Sequence, residues 1–245
     1  MLDVAAMELD VAFLPAGHPR DVAVVIDVLR MTTTAAALAE RGMRRLTIVA
    51  GTDDALELSA ASGVRLFGER NGLPFPGFDG GNSPVEHLGA DYSELSAILC
   101  TTNGSKAVEA VQNARHLLLG AIVNARAVAR VALELATESV TLVCAGTDGT
   151  VSLDDVLGAG CIASEIVTSR PDVRLSDAAK IALMLASAPA GIEATLATAH
   201  HADVLRDLGF GDDVEFAARA SSVNLVARRT SRGPSAFEVV EPTAG

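Results

Sequence analysis

Apolar residues fall along this chain in short bursts set between longer mixed stretches, and their spacing predicts the elements. AVVIDV (23–28) is a continuous apolar run holding one acid, the pattern of a strand buried on both faces. MTTTAAALAERG follows it with helix-forming Ala and Leu and a glycine stop at Gly42. RLTIVAG (45–51) reads as a second strand, TDDALELSAASG as a helix opened by Thr and acids, and VRLFG (64–68) as a third strand. Further on, SAILC (96–100), HLLLGAIVN (116–124) and SVTLVCAG (139–146) read as strands. SKAVEAVQNA, ARAVARVALELA and LDDVLGAGCIASEIVTS read as helices between and after them. DAAKIALMLASAP and GIEATLATAHHADVLRDLG predict more helix, VEFAARA fits a helix, and VNLVARR and AFEVVEP fit late strands. Strand and helix in alternation imply an α/β fold with a largely parallel sheet and right-handed crossovers. No repeat, linker or composition shift divides the chain, so 1–245 reads as one domain or two intimate α/β halves.

One stretch breaks the rhythm. GERNGLPFPGFDGGNSP (68–84) holds too many Gly and Pro for a helix and no alternation for a strand. A long loop in an otherwise regular chain points to function. Its glycines allow close backbone approach to a ligand, and its prolines limit its freedom before binding.

Composition narrows the choices. The chain has 245 residues, 49% of them hydrophobic and 20% charged, which argues against disorder. With no Trp and a single Tyr (Tyr92), the core must be built from Ala, Val, Leu and Ile. A net charge of −12 argues against nucleic acid and anionic membranes as partners. It would repel a small anion too, unless local arginines or a divalent cation reverse the field. Cys100, Cys144 and Cys161 form no CxxC pair and no zinc-type cluster, which suits a reducing cytoplasm. MLDVAAMELD lacks the basic start of a signal peptide, and the Ala-rich 178–199 is interrupted by Lys180, Pro189, Gly191 and Glu193.

Ligands of open parallel sheets bind beyond the carboxyl ends of the strands, and three kinds of group collect there. Carboxylates are Asp27, Glu69, Asp79, Asp148, Asp154 and Asp155. Guanidinium groups are Arg30 and Arg70, whose planar forks match phosphate or sulfonate oxygens. Small polar turns open helices at RMTTT (30–34) and TTNGS (101–105), where backbone N–H groups attract anions. Hard cations such as Mg²⁺ take carboxylate, water and phosphate oxygens, so the set suits metal-assisted handling of a phosphorylated anion. Plainer roles stand beside these. Asp27 could be the buried partner of an arginine, Asp154 and Asp155 first-turn acids, and TTNG an ordinary turn. Cys144 and Cys161 read as core, and His200, His201, Arg228 and Arg229 as solvated surface. GxxxxGK[ST], GxSxG and HExxH are absent.

The ordered motifs VVIDVLRMTTTAAAL (24–38), GERNGLPFPGFDGGNSP (68–84), TTNGSKAV (101–108), VCAGTDGTVSLDDVLGAG (143–160) and LGFGDDVEFAARAS (208–221) span nearly the whole chain. In them the chain resembles the 2-phosphosulfolactate phosphatase family. The resemblance implies a three-layer α/β/α fold and a Mg²⁺-dependent acid phosphatase that converts 2-phosphosulfolactate to 3-sulfolactate, a step of coenzyme M biosynthesis. A related phosphorylated 2-hydroxy acid is an equally open substrate. The site expectation is that Asp27, Glu69 and Asp79 form the metal site, directly or through water, with Asp155 nearby. Arg30, Arg70 and Asn82 would clamp anionic oxygens, while Thr32, Thr33, Ser83, Thr102, Asn103 and Gly104 would donate to phosphate. Attack would come from metal-activated water, or from Asp27 by way of an aspartyl-phosphate. A non-catalytic binder of a phosphorylated acid and a metal-dependent lyase or isomerase remain open beside it. A cytoplasmic homodimer is the default for such an enzyme.

Overall fold

The computed structural model describes residues 6–243 apart from 17–18, 94, 231–232 and 234. In chain order the first part holds β1 (Glu8–Ala12), β2 (Val22–Ile26), α1 (Met31–Glu40), β3 (Arg45–Val49), α2 (Thr52–Ser62), β4 (Arg65–Arg70), β5 (Leu73–Pro74) and β6 (Ser96–Cys100). The middle holds α3 (Gly104–Ala110), β7 (His116–Gly120), α4 (Ala125–Leu135), β8 (Ser139–Cys144), α5 (Leu153–Ser169) and β9 (Arg174–Leu175). The last part holds α6 (Asp177–Ala186), α7 (Gly191–Leu196), α8 (His200–Asp207), α9 (Gly211–Ala217), β10 (Val226–Arg229) and β11 (Ala236–Val240).

One eleven-stranded sheet runs through the described residues in the order β5-β4-β6-β3-β11-β10-β7-β2-β8-β1-β9. It is mixed. β4, β6 and β3 make one parallel block, and β7, β2, β8, β1 and β9 make another. The C-terminal hairpin β10–β11 lies between them, antiparallel to itself, to β3 and to β7. Three reversals in succession leave the two blocks running in opposite senses. Strands twist by about 20–25° per step, so the five steps from β6 to β2 accumulate roughly 100–125°. The carboxyl ends of the two blocks meet: a Cβ on Gly104, after β6, would lie 2.5 Å from Asp27 Oδ2, after β2.

Both faces of the second block are covered, which explains its continuous apolar runs. On one face Val22, Val24, Ile26 and Leu118 pack with Val128 of α4 and Leu157 and Ile162 of α5. On the other, Val25 and Leu119 share a cluster with Ile48 and Leu99 of the first block and with Leu38 of α1 and Val108 of α3. The inner helices α1 and α3 thus join the two blocks. Truncating a fully buried leucine such as Leu119 to alanine would cost about 2–5 kcal/mol. Outside the first block, Ala55 of α2 packs on Leu66 and Ile98. At Gly68 the strand passes so close to β6 that a Cβ would lie 2.1 Å from the Cys100 carbonyl oxygen, so only glycine fits.

The α/β layering matches the periodicity, with local differences. β1, β5 and β9 carry too little pattern to be foreseen. The run 116–124 leaves the strand at Gly120 because Asn124 turns the chain, accepting from the Ala121 N–H at 2.8 Å and donating to the Leu225 carbonyl at 3.1 Å. The stretch 191–209 breaks into α7 and α8 where the Thr195 and Thr198 hydroxyls bond back to backbone carbonyls. Among the described residues no helix is long and apolar enough to cross a membrane.

Candidate active site

The chain leaving β2 builds one wall. Asp27 follows the strand directly, and the start of α1 folds over it. The Met31 N–H donates to Asp27 Oδ1 at 3.3 Å, placing the carboxylate at the positive end of a ten-residue helix. The Thr32 hydroxyl accepts from the Asp27 N–H at 3.1 Å and lies 2.8 Å from the Asp27 carbonyl. Thr33 donates to the Val28 carbonyl at 2.6 Å. These hydroxyls lash the turn together. Expected to donate to phosphate, they bond here to the backbone beside them, as threonines opening a helix commonly do.

β4 and β6 build the facing wall. Glu69 Oε1 accepts from both the N–H and the hydroxyl of Thr102 at 2.9 Å, and its Oε2 accepts from the Gly72 N–H at 2.9 Å. One carboxylate thereby fastens the tip of β4 to the turn after β6 and to the start of the glycine-rich loop. Arg70 points the other way, since neighbouring strand residues face opposite sides. Its guanidinium donates to the carbonyls of Ala50 at 2.5 Å and Glu69 at 3.0 Å, outside the pocket. Gly104, first in α3, permits a close approach: a Cβ there would stand 2.5 Å from Asp27 Oδ2.

Between the walls lies a cavity of about 310 Å³. Arg30, Glu69, Asn71, Asn82, Thr102, Asn103, Thr147, Asp148 and His201 line it. Arg30 is held from three sides: it pairs with Asp213 of α9 at 2.7 Å, donates to the Gly72 carbonyl at 2.6 Å, and lies 4.5 Å above the ring of Phe210. Ser83 donates to the other oxygen of Asp213 at 2.6 Å, so its hydroxyl is engaged there and not with a ligand. Asn82 is buried, and among the described residues its Oδ1 has no hydrogen-bond partner.

Behind the cavity the N-terminus of α5 presents two acids with separate tasks. Asp155 accepts from the Val28 N–H at 2.8 Å and from the Gly146 N–H at 2.9 Å, tying the ends of β2 and β8 together. Asp154 accepts from the Leu29 N–H at 3.2 Å and from the Ser152 hydroxyl. Among the described residues none of Asp27, Asp154 and Asp155 has an ion-pair partner, although all are buried. Burial, then the charges of Asp154 and Glu69, pushes the Asp27 carboxyl up to about 7. Burial also raises Asp154, and it raises Asp155 well above the carboxylate range, with Asp154 and Asp27 adding to it. Burial lowers His201 against the opposing pull of Asp154.

The expected constellation is therefore met in part. Asp27, Glu69, Arg30, Asn82, Thr102, Asn103 and Gly104 come together. Arg70, Thr32, Thr33 and Ser83 are spent elsewhere, and both oxygens of Asp155 serve backbone N–H groups. Asp79 lies apart: it pairs with Arg65 at 2.9 Å and accepts from the Leu66 N–H at 2.8 Å. Leu66 is three residues upstream of Glu69, roughly 10 Å along the strand. Asp213, Phe210 and His201 were not assigned roles from the sequence. Their only signal was position within or beside the motif at 208–221.

Among the described residues no three His, Cys, Asp or Glu side chains close on a point as a complete metal cage. Mg²⁺ needs none, since one or two carboxylates, water and substrate phosphate commonly suffice. The hard oxygens of Asp27 and Glu69, beside the unpartnered Asn82 Oδ1, fit such an ion.

A family model described as 2-phosphosulpholactate phosphatase matches residues 11–231. A relative in Deinococcus radiodurans is 46% identical over 222 residues, covering 90% of this chain and 92% of its own. One in Thermus thermophilus is 41% identical, covering 88% and 91%, and one in Carboxydothermus hydrogenoformans 39%, covering 90% and 92%. All three are described as probable 2-phosphosulfolactate phosphatases.

Proposed function

The chain belongs to the 2-phosphosulfolactate phosphatase family, and from that premise we propose that it hydrolyses the phosphomonoester of 2-phosphosulfolactate, or of a related phosphorylated 2-hydroxy acid, with Mg²⁺ bound at Asp27 and Glu69. The observation that carries this reading is a small cavity walled by Glu69 and the firmly held Arg30, with three buried carboxylates, Asp27, Asp154 and Asp155, lying without ion-pair partners behind that wall.

Asp27 and Glu69 would hold the ion directly or through water, with Asn82 Oδ1 as a neutral donor. Asp79 drops out of the metal set because it pairs with Arg65 away from the cavity, and Asp155 stays nearby, holding the Val28 and Gly146 N–H groups. When bound, Mg²⁺ supplies charge to a phosphoryl oxygen and acidity to a coordinated water. Arg30 meets the substrate's carboxylate or sulfonate. Its fork is already oriented by Asp213 and Phe210, so little side-chain entropy is lost on binding. Asp213 offsets the charge of Arg30 but leaves it donors for a ligand, because the guanidinium has five N–H groups and two are used. Glu69 keeps the tips of β4 and β6 at fixed separation, so the reacting groups meet without loop rearrangement. Water attacks phosphorus and the alcohol leaves from the opposite side. Asp27 as the attacking nucleophile is disfavoured by its depth and by the Met31 N–H on its oxygen.

A panel of phosphorylated 2-hydroxy acids, assayed with and without Mg²⁺ for phosphate and for product mass, tests the reading. Equal molar phosphate and intact hydroxy acid are expected. Binding without turnover would make the protein a sensor, and loss of the 2-hydroxyl would make it a lyase.

A further inference from the structure

Hydrolysis of a 2-hydroxy acid phosphate leaves one requirement unassigned. The departing oxygen is an alkoxide, a poor leaving group unless protonated as the P–O bond breaks. We propose that His201 is the general acid that protonates it, an inference that rests on the phosphatase reading.

His201 is the second residue of α8 and lines the cavity with Arg30 and Glu69. Its Nδ1 lies 3.3 Å from the Thr147 hydroxyl. Thr147 donates its own proton to Ser152 Oγ at 3.4 Å, and Ser152 donates to Asp154 Oδ1. Both hydroxyls donate toward Asp154, so the chain has one direction. Asp154 takes the Ser152 proton, Ser152 takes that of Thr147, and Thr147 is left to accept from Nδ1–H. The proton on Nδ1 is thereby fixed, and Nε2 becomes the atom that gains and loses the other one. Nε2 has no hydrogen-bond partner among the described residues and belongs to a ring on the cavity wall. The neighbouring His200 is exposed and makes no such chain.

The step balances with the groups at hand. Water oxygen forms the new P–O bond and releases one of its protons to solvent. The ester P–O bond breaks with its electron pair on the alcohol oxygen, which takes the Nε2 proton. The imidazole ends neutral, still protonated at Nδ1, and recovers a proton from solvent. Ester and water have become alcohol and phosphate.

The discriminating experiment compares two esters that fit one pocket, phospholactate and its trifluoromethyl analogue, whose more acidic alcohol leaves without help. Wild type, His201→Gln and His201→Asn are assayed on both with Mg²⁺. The variants are expected to lose roughly 10²–10³-fold in kcat on phospholactate, within the range for general acids, and at least tenfold less than that on the analogue. Turnover of the analogue also reports that each variant is folded. Equal losses on both esters would make His201 a binding or structural residue, and no loss on either would remove it from the reaction; both outcomes overturn the proposal. Wild type inert toward both esters and toward 2-phosphosulfolactate would remove the phosphatase reading and the acid with it.

Discussion

Two of the cavities among the described residues make a useful contrast, and the larger of the pair is the less informative. A space of about 650 Å³ lies against the β10–β11 hairpin, lined by Arg45, His116, Arg228, Arg229 and Glu238 among others. Its charges are largely answered: Arg228 pairs with Glu238 at 2.9 Å, and Arg229 donates to the carbonyls of Gln112, Ala114 and Arg115. The cavity of about 310 Å³ between β2, β4 and β6 presents the opposite situation, with the immobilised Arg30 on its wall and the buried acids Asp27, Asp154 and Asp155 without ion-pair partners behind it. Desolvating a charge is expensive unless it is paired. A fold that leaves that cost standing in one place, while matching charges elsewhere, marks the place shaped for ligand binding. Volume alone would have selected the wrong site.

The contrast breaks most sharply at Asp27. Asp27→Asn should lower phosphate release by roughly 10³-fold, as expected for loss of a central electrostatic group. The same change should raise the melting temperature of metal-free protein above neutral pH, because the asparagine carries no buried charge. A variant that loses activity and stability together would return Asp27 to a purely structural part. Arg30→Lys comes next, at roughly 10²-fold, since an ammonium keeps the charge but not the fork held by Asp213 and Gly72. Steady-state kinetics should place that loss in both KM and kcat.

A third prediction uses pH. The folded pKa of Asp27 is about 7, above the ordinary 3.8, and those of Asp154 and Asp155 are raised as well. Between those limits the folded protein holds protons that the unfolded chain has released. The contribution of these acids to the stability of the metal-free protein is therefore greatest at and below about pH 4 and falls as pH rises toward 7, by an amount on the order of 4 kcal/mol for Asp27. Urea titrations across that window should show the fall, and saturating Mg²⁺ should flatten it. A rise in stability over the same window would contradict the assigned burial. The smallest effects belong to matched charges. Asp79→Asn and Arg228→Ala should each leave turnover within about twofold and cost less than about 1 kcal/mol, as exposed pairs do.

Much of the layering was legible because it rests on local pattern. The apolar run at 22–26 could be read as a doubly buried strand, and the acids opening α5 as a helix start, without knowledge of distant residues. The direction of each strand was not, because periodicity is blind to it. The hairpin between β3 and β7 turns an apparently continuous parallel sheet into two opposed blocks. At the site, residue type foretold the chemistry but not its address. Glu69 and Asp79 flank one loop and look alike, yet β4 carries the first to the cavity and Arg65 takes the second. Arg30 was visible beside a helix start; its partner Asp213 lies 183 residues away. The threonines at 32–33 resembled phosphate donors, but helix-opening hydroxyls bond locally before they bond a ligand. His201 looked like solvated surface because its helix is polar, and only the folded contact with Thr147 shows otherwise.

The central claim is that the smaller cavity is a cation-dependent phosphatase site. Its most direct test is to titrate Mg²⁺ into metal-stripped wild type and Asp27→Asn with 2-phosphosulfolactate present, following phosphate and sulfolactate together. The account predicts saturable, equimolar release by wild type and nearly none by the variant at any Mg²⁺ concentration. Equal release by both proteins, or release indifferent to the ion, would contradict it.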